Sequence, residues 1–326
     1  MAVQCGAAVD VVLAIEARRV ETGRLGSIDE SAGRRQRPLD LPGTAAVLAF
    51  LGANIHAWPA RGIGRATAEL FAAQGAHLAL CARDQAALDA TGRELAARHG
   101  VQVFGRSTDI LNAAAIGAFI DATGERFGHI DVLVNNAGGS EQRVAAGSRK
   151  QVYAIGPVSG DLPAGRFESM SDEEFVNAFD QKVLALIRSM RAVIPWMRKS
   201  GGGAIVNVLS MKGKQPPPRV VSSGVVAAAA MNLSKALSLE LAHENIRANV
   251  VALESIVTSQ TEKSRQRWAV DKSMEEFLAP RNANIPMHRL GLPEEVAHAI
   301  HCLCAPLGAY ITGQVLCVDG GGLRSW

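Results

Sequence analysis

Thr44–Cys81 reads TAAVLAFLGANIHAWPARGIGRATAELFAAQGAHLALC, and this stretch decides the fold. Ala45–Leu51 is a short unbroken apolar run, as expected for a strand buried on both faces of a parallel sheet. Arg65–Gln74 has apolar residues at helical spacing and meets Gly75, which can end a helix in the left-handed conformation. Ala76–Cys81 is a second apolar run, so the stretch is a βαβ unit. The rhythm continues through helix Gln85–His99, strand Gln102–Ser107, helix Ala113–Phe127 and strand Asp131–Asn135. Ser171 opens a long helix through the capping box SDEE, with Glu174 three residues on, and that helix runs to about Lys199. Strand Ala204–Val208, helix Val225–His243, strand Arg247–Ala252, helix Pro293–Leu303 and strand Gln314–Val318 complete the pattern. Seven strands alternating with helices predict an α/β fold: a doubly wound parallel sheet covered by helices on both faces.

Composition narrows the function. The chain has 326 residues, 48% apolar and 20% charged, with a net charge of +3. That suits one domain plus an extension, and the small charge with no dense basic block argues against nucleic-acid binding. No cysteine pair has C-x-x-C spacing, and the five cysteines are odd in number, which points to buried thiols and no metal site. No apolar run approaches the ~20 residues that span a bilayer, and the N-terminus lacks the pattern of a secretory signal. A cytoplasmic protein without a membrane segment is the expectation. Residues 1–42 show no strand–helix alternation. They read as an extension, with one short helix around Ala8–Glu21 and then disorder, or as the product of a wrong start. Residues 43–326 read as a single domain. Within it, residues 140–169 are long, polar and rich in glycine and proline, so an enlarged surface loop is expected, either a lid or a plain insertion.

In a doubly wound sheet a dinucleotide sits at the carboxyl ends of the strands. There Arg61-Gly62-Ile63-Gly64 opens the first helix, where small residues and helix N–H groups suit a diphosphate. Gly52 is the nearest earlier glycine, ten residues before Gly62, so ANIHAWPA bulges into the turn. Arg83 follows the second strand, and Asp109-Ile110 follows the third. Asn135-Asn136-Ala137-Gly138 ends the fourth strand, Thr312–Gly321 reads TGQVLCVDGG, and NVVALESIVT carries Ile256 and Thr258. On these motifs Ala45–Gly321 resembles the short-chain dehydrogenase/reductase family. The resemblance implies a Rossmann-type fold, a nicotinamide cofactor and a carbonyl or alcohol substrate. It gives Gly52, Arg61, Gly62, Ile63 and Gly64 to the phosphate turn and Asp109 with Ile110 to the adenine. Asn136, Ala137 and Gly138 fall beside the ribose, and Ile256 and Thr258 at the carboxamide. A basic residue after the second strand favours the 2′-phosphate of NADP; Arg83 with Arg61 therefore points to NADP, with NAD as the alternative. A homo-oligomer is expected by analogy.

The resemblance also exposes a loss. The family carries a serine, a tyrosine thirteen residues on, and a lysine four residues later. Here those positions read Ser210, Ser223 and Ala227. Tyrosine titrates near ~10 and needs a neighbouring cation to serve as a base near neutrality. Ser223 has a far less acidic hydroxyl and no lysine beside it. The helix position where the family has asparagine reads Lys182, whose ammonium can restore positive charge near the ribose or snorkel out of the helix. A minor branch of the family carries a lysine there and lacks the tyrosine–lysine pair. Leu253-Glu254 replaces the family's Pro-Gly, and Glu254 either supplies a carboxylate to the cleft or turns outward. Tyr153 in the enlarged loop is a remote substitute, and Tyr310 falls in a structural stretch. Trp268 and Phe277 are candidate walls of the pocket. Three readings stay open: an NADP-linked oxidoreductase with a rewired proton path, with Ser210, Ser223 and Lys182 at its centre; an inactive scaffold or partner subunit; and an isomerase or lyase in the same cleft.

Overall fold

The computed structural model describes residues 47–51, 62–136, 167–218 and 220–324. All belong to one compact unit, Arg37–Trp326. The expected extension at 1–42, Gly52, Arg61, Ala137, Gly138, Tyr153 and nearly all of the enlarged loop lie outside the described residues. The loop's last residues, Phe167–Ser169, form a single 3₁₀ turn.

Seven strands form one sheet: β1 (Val47–Leu51), β2 (His77–Ala82), β3 (Val103–Ser107), β4 (Val132–Asn135), β5 (Gly203–Ser210), β6 (Ile246–Leu253) and β7 (Val315–Val318). Their order is β3-β2-β1-β4-β5-β6-β7, and every pairing is parallel. The order reverses between β1 and β4, which opens a crevice at their carboxyl ends. The central strands are apolar without alternation because both faces are covered. Residues Val132–Val134 and Ala204–Val206 are all buried. One core layer gathers Ile116, Phe119, Met190, Val193, Ile205 and Val250; the other gathers Phe71, Leu78, Leu80, Val134, Val206 and Ile300.

Helices α1 (Ile63–Ala73), α2 (Gln85–His99) and α3 (Ala113–Phe127) connect the first four strands. Asp84 and Asn112 cap α2 and α3 by accepting from Ala87 N and Ala115 N, while Gly100 and Gly128 end them with positive φ. The predicted capping box is present at Ser171 and Glu174. The helix it opens is not continuous to Lys199. It divides into α4 (Asp172–Phe179), a π-helical turn (Asp180–Leu184) and α5 (Ala185–Ser200), with Ala185 N donating to Asp180 O. One extra residue in the hydrogen-bond ladder makes such a turn, and its residue types do not announce it.

Helix α6 (Val221–Leu241) packs on β5 and β6 and buries Val226, Ala230, Met231 and Ser234. Residues Val221–Glu244, 24 in all with mean hydropathy 1.3, are long and apolar enough to cross a bilayer by length and composition alone. The expected helix Val225–His243 lies within it, so the expectation that no apolar stretch reaches membrane-spanning length is corrected here. In the fold its apolar side covers the sheet. Two short helices, α7 (Ser259–Trp268) and α8 (Met274–Asn282), stand beyond β6, and α9 (Pro293–Cys304) precedes β7.

Candidate functional site

Strands β5 and β6 end side by side, with Ser210 paired to Leu253. Their continuations form a cavity of about 920 Å³. Its wall includes Ser210, Met211 and Lys212 after β5, Glu254, Ile256 and Thr258 after β6, and Arg281 and Ile285 from α8 and its exit. Two predicted cofactor residues, Ile256 and Thr258, thus share one cavity with the predicted catalytic Ser210. Thr258 caps α7, where its N–H donates to Thr261 Oγ1 at 3.0 Å, and Ile256 pairs with Gly291 in a parallel bridge.

Ser210 caps the 3₁₀ turn Met211–Gly213: its Oγ accepts from Lys212 N at 3.3 Å. That contact occupies a lone pair and leaves the hydroxyl hydrogen to be donated elsewhere. The turn is seated on α6. A Cβ built on Gly213 would lie 2.8 Å from the backbone of Ala227 and Ala228, and one on Gly224 would lie 3.2 Å from Lys212 O. Ala227, where the family resemblance places a lysine, is buried under the turn that carries Lys212. Ser223 is half-buried in the first turn of α6 and is not part of the cavity wall among the described residues.

Lys182 lies in the π turn, half-buried by exposed surface but with its ammonium desolvated. Burial first, then the positive charge of Lys212, pushes its pKa below the ordinary lysine value. Burial likewise lowers Lys212. The Lys182 side chain has no hydrogen bond or ion pair among the described residues. Both ammonium groups therefore give up a proton more readily than an ordinary lysine does. Glu254 is exposed at the cavity and packs against Gly322, where a Cβ would meet its Oε2 at 2.0 Å. Burial and the neighbouring Asp319 carboxylate raise its pKa.

Gly62 is the N-cap of α1. No side chain caps that end, and no acidic residue occupies the first turn, which Ile63 and Gly64 begin. An uncapped helix start with two buried glycines fits a phosphate group, so the residues present suit a nicotinamide dinucleotide. Arg83 is exposed after β2, and its carbonyl accepts from Ser107 Oγ at 2.9 Å. Asp109 Oδ1 accepts from Leu111 N at 3.0 Å, which fixes the turn that holds Ile110. Asn136 follows β4 directly.

Sequence reasoning missed two features. Lys212 stands two residues after Ser210, in plain view in SMK, but no spacing rule singled it out. A buried polar chain also ties the sheet to both flanking helices. Asn135 Nδ2 donates to Asn207 Oδ1 at 2.7 Å, Ser189 Oγ donates to Asn135 Oδ1 at 2.8 Å, and Asn207 Nδ2 donates to Ser234 Oγ at 2.9 Å. Its four residues come from β4, β5, α5 and α6, and only assembly of the sheet brings them together.

A parallel sheet reversing between β1 and β4, with a cavity at the strand ends, defines a Rossmann-type α/β protein. The family described as enoyl-(acyl carrier protein) reductase matches residues 57–322. The 3-oxoacyl-(acyl-carrier-protein) reductase FabG of Chlamydia muridarum is 32% identical over 261 residues, 80% of this chain and 93% of that protein. L-sorbose reductase from Gluconobacter frateurii, complexed with NADPH and L-sorbose, superimposes with a TM-score of 0.74 at 29% identity, covering 87% of this chain and 99% of that one. An NADPH-bound short-chain oxidoreductase from Pseudomonas aeruginosa PAO1, described as containing an atypical catalytic center, gives 0.71 at 32% identity, covering 86% and 98%. The chain belongs to the short-chain dehydrogenase/reductase family, whose relatives here are oxidoreductases.

Proposed function

We propose that the protein is an NADP-linked oxidoreductase that acts on a small carbonyl or alcohol substrate through a rewired proton path. The observation that carries this reading is the single cavity that joins Ser210 to Ile256 and Thr258 at the ends of β5 and β6. The cofactor, when bound, supplies or receives the hydride. The start of α1 would hold its diphosphate, Arg83 its 2′-phosphate, Asp109 with Ile110 its adenine, and Ile256 with Thr258 its carboxamide. Ser210 holds the substrate oxygen through its free hydroxyl hydrogen. Apolar wall residues such as Met211, Leu253 and Ile285 exclude water from the reacting end. Self-association in solution belongs to the same proposal. The similarity to NADPH-bound reductases supports the cofactor choice, and the relative described as containing an atypical catalytic center supports an oxidoreductase whose centre departs from the usual one.

The test is titration of the purified protein with NADPH and with NADH, following energy transfer from tryptophan to the nicotinamide. NADPH is expected to bind with a micromolar Kd, more tightly than NADH. Arg83→Ala is expected to weaken NADPH and leave NADH unchanged. Failure of both cofactors to bind would refute the reading.

A further inference from the structure

The cavity has a cation that the family resemblance does not assign. We infer that Lys212 is the catalytic residue that delivers the proton to the substrate oxygen held by Ser210, in place of the absent tyrosine. The inference rests on the proposed oxidoreductase reading and adds the proton's source.

Three observations carry it. Lys212 and Ser210 line the same cavity wall and are fixed to one another by the bond from Lys212 N to Ser210 Oγ. Gly213, in the turn that holds Lys212, lies against the backbone of α6 at Ala227 and Ala228, so the turn is seated on the position where the family resemblance places a lysine. Ser223, the positional heir of the tyrosine, lies off the cavity wall among the described residues. Among the described residues, the charged groups around Lys212 include Lys182 from the π turn, and Glu254, Arg281 and Arg324 of the cavity wall. Among these, cations outnumber the one carboxylate, which favours an electron-rich oxygen there, and the repulsion between Lys182 and Lys212 eases proton loss from an ammonium.

The step balances as follows. A hydride from the reduced nicotinamide cofactor forms the new C–H bond at the carbonyl carbon. The C=O π pair moves to oxygen, and the Nζ–H bond of Lys212 breaks to form O–H. The products are an alcohol, oxidised cofactor and neutral Lys212, which regains a proton from solvent. In this direction the rate falls as pH rises through the lowered pKa of Lys212, since only the ammonium donates.

The experiment compares the full-length wild type with Lys212→Met and Lys212→Arg. It measures NADPH binding, NADPH-dependent reduction of a panel of activated ketones from pH 6 to pH 10, and mass-spectrometric mapping of lysines labelled by an amine-selective reagent at neutral pH. Binding in Lys212→Met is expected to stay within about 2-fold, while reduction falls roughly 10²–10⁴-fold, the range for loss of a general acid. Arginine is not expected to restore the rate, because it does not release its proton in this range. Lys212 is expected to be labelled before the exposed Lys199 and Lys272. A wild type that reduces ketones alongside an equally active Lys212→Met with the same pH profile would overturn the role of Lys212 alone. A wild type that binds no cofactor or reduces no ketone would overturn the oxidoreductase reading and this role with it.

Discussion

Gly213 has no side chain because there is no room for one. Its backbone lies against Ala227 and Ala228 of α6, and a methyl group would sit 2.8 Å from main-chain atoms that cannot rotate away. Gly213→Ala must therefore lift the turn off the helix and carry Ser210 and Lys212 with it. A loss of about 1–3 kcal/mol is expected, the usual cost of an overpacked contact. A urea midpoint equal to that of the wild type would show that the turn is not seated as described. The same residue marks how far the sequence could be read. Ser210 and the loss of the tyrosine were visible as letters at fixed spacing. The seating of Gly213 on Ala227 was not, because it depends on a turn folding back across about fourteen residues onto a helix face.

At the scale of elements, the sequence revealed strands and helices by period. It did not reveal what one hydrogen bond can change. The apolar runs of β4 and β5 and the glycine stop of α1 at Gly75, with φ 84°, lay where expected, since burial and left-handed backbone each leave a residue signature. The π turn at Asp180–Leu184 leaves none, and neither does the clamp formed by Arg247. From β6, Arg247 Nη1 donates to Leu303 O at 2.7 Å and to Ile311 O at 3.0 Å, and Nη2 donates to Cys304 O at 3.3 Å. These acceptors include the orphan carbonyls at the end of α9, so the guanidinium stands in for the missing turn. Arg247→Met keeps the apolar stem and removes the donors. A destabilisation of about 1–3 kcal/mol or more is expected, because buried carbonyls lose their partners. Thermal unfolding measures it, and an unchanged Tm would deny the clamp its role.

The molecule as a whole should be sensitive to acid. Hydrogen bonds from Arg289 and from Leu292 N hold Glu295 down to about 2 from an ordinary 4.5. Glu69 is lowered by His99 and Arg98, which outweigh its own burial, and Glu94 by Arg65. Arg198 lowers Glu244, and Ser273 lowers Glu276. A carboxylate with a depressed folded pKa adds stability above its unfolded pKa and loses it as pH falls through the folded value. Unfolding stability is therefore expected to decline from about pH 4.5 toward pH 2 for Glu295. The loss should shrink in high salt, since most of these pairs are open to solvent. Chemical denaturation at pH 6 and at pH 3, with Glu295→Gln alongside, tests this. A glutamine variant with the full pH dependence of the wild type would remove Glu295 from the account.

The strand order β3-β2-β1-β4-β5-β6-β7 has a consequence for the newborn chain. Among the described strands β1 leaves the ribosome first and ends up inside the sheet, between β2 and β4. Each later strand joins at an outer edge of what already exists: β2 and then β3 on one side, β4 through β7 in turn on the other. No strand has to be inserted between two that are already paired. The sheet can grow in the order of translation, like a wall extended from its first stone, with only its two current ends exposed to misassembly.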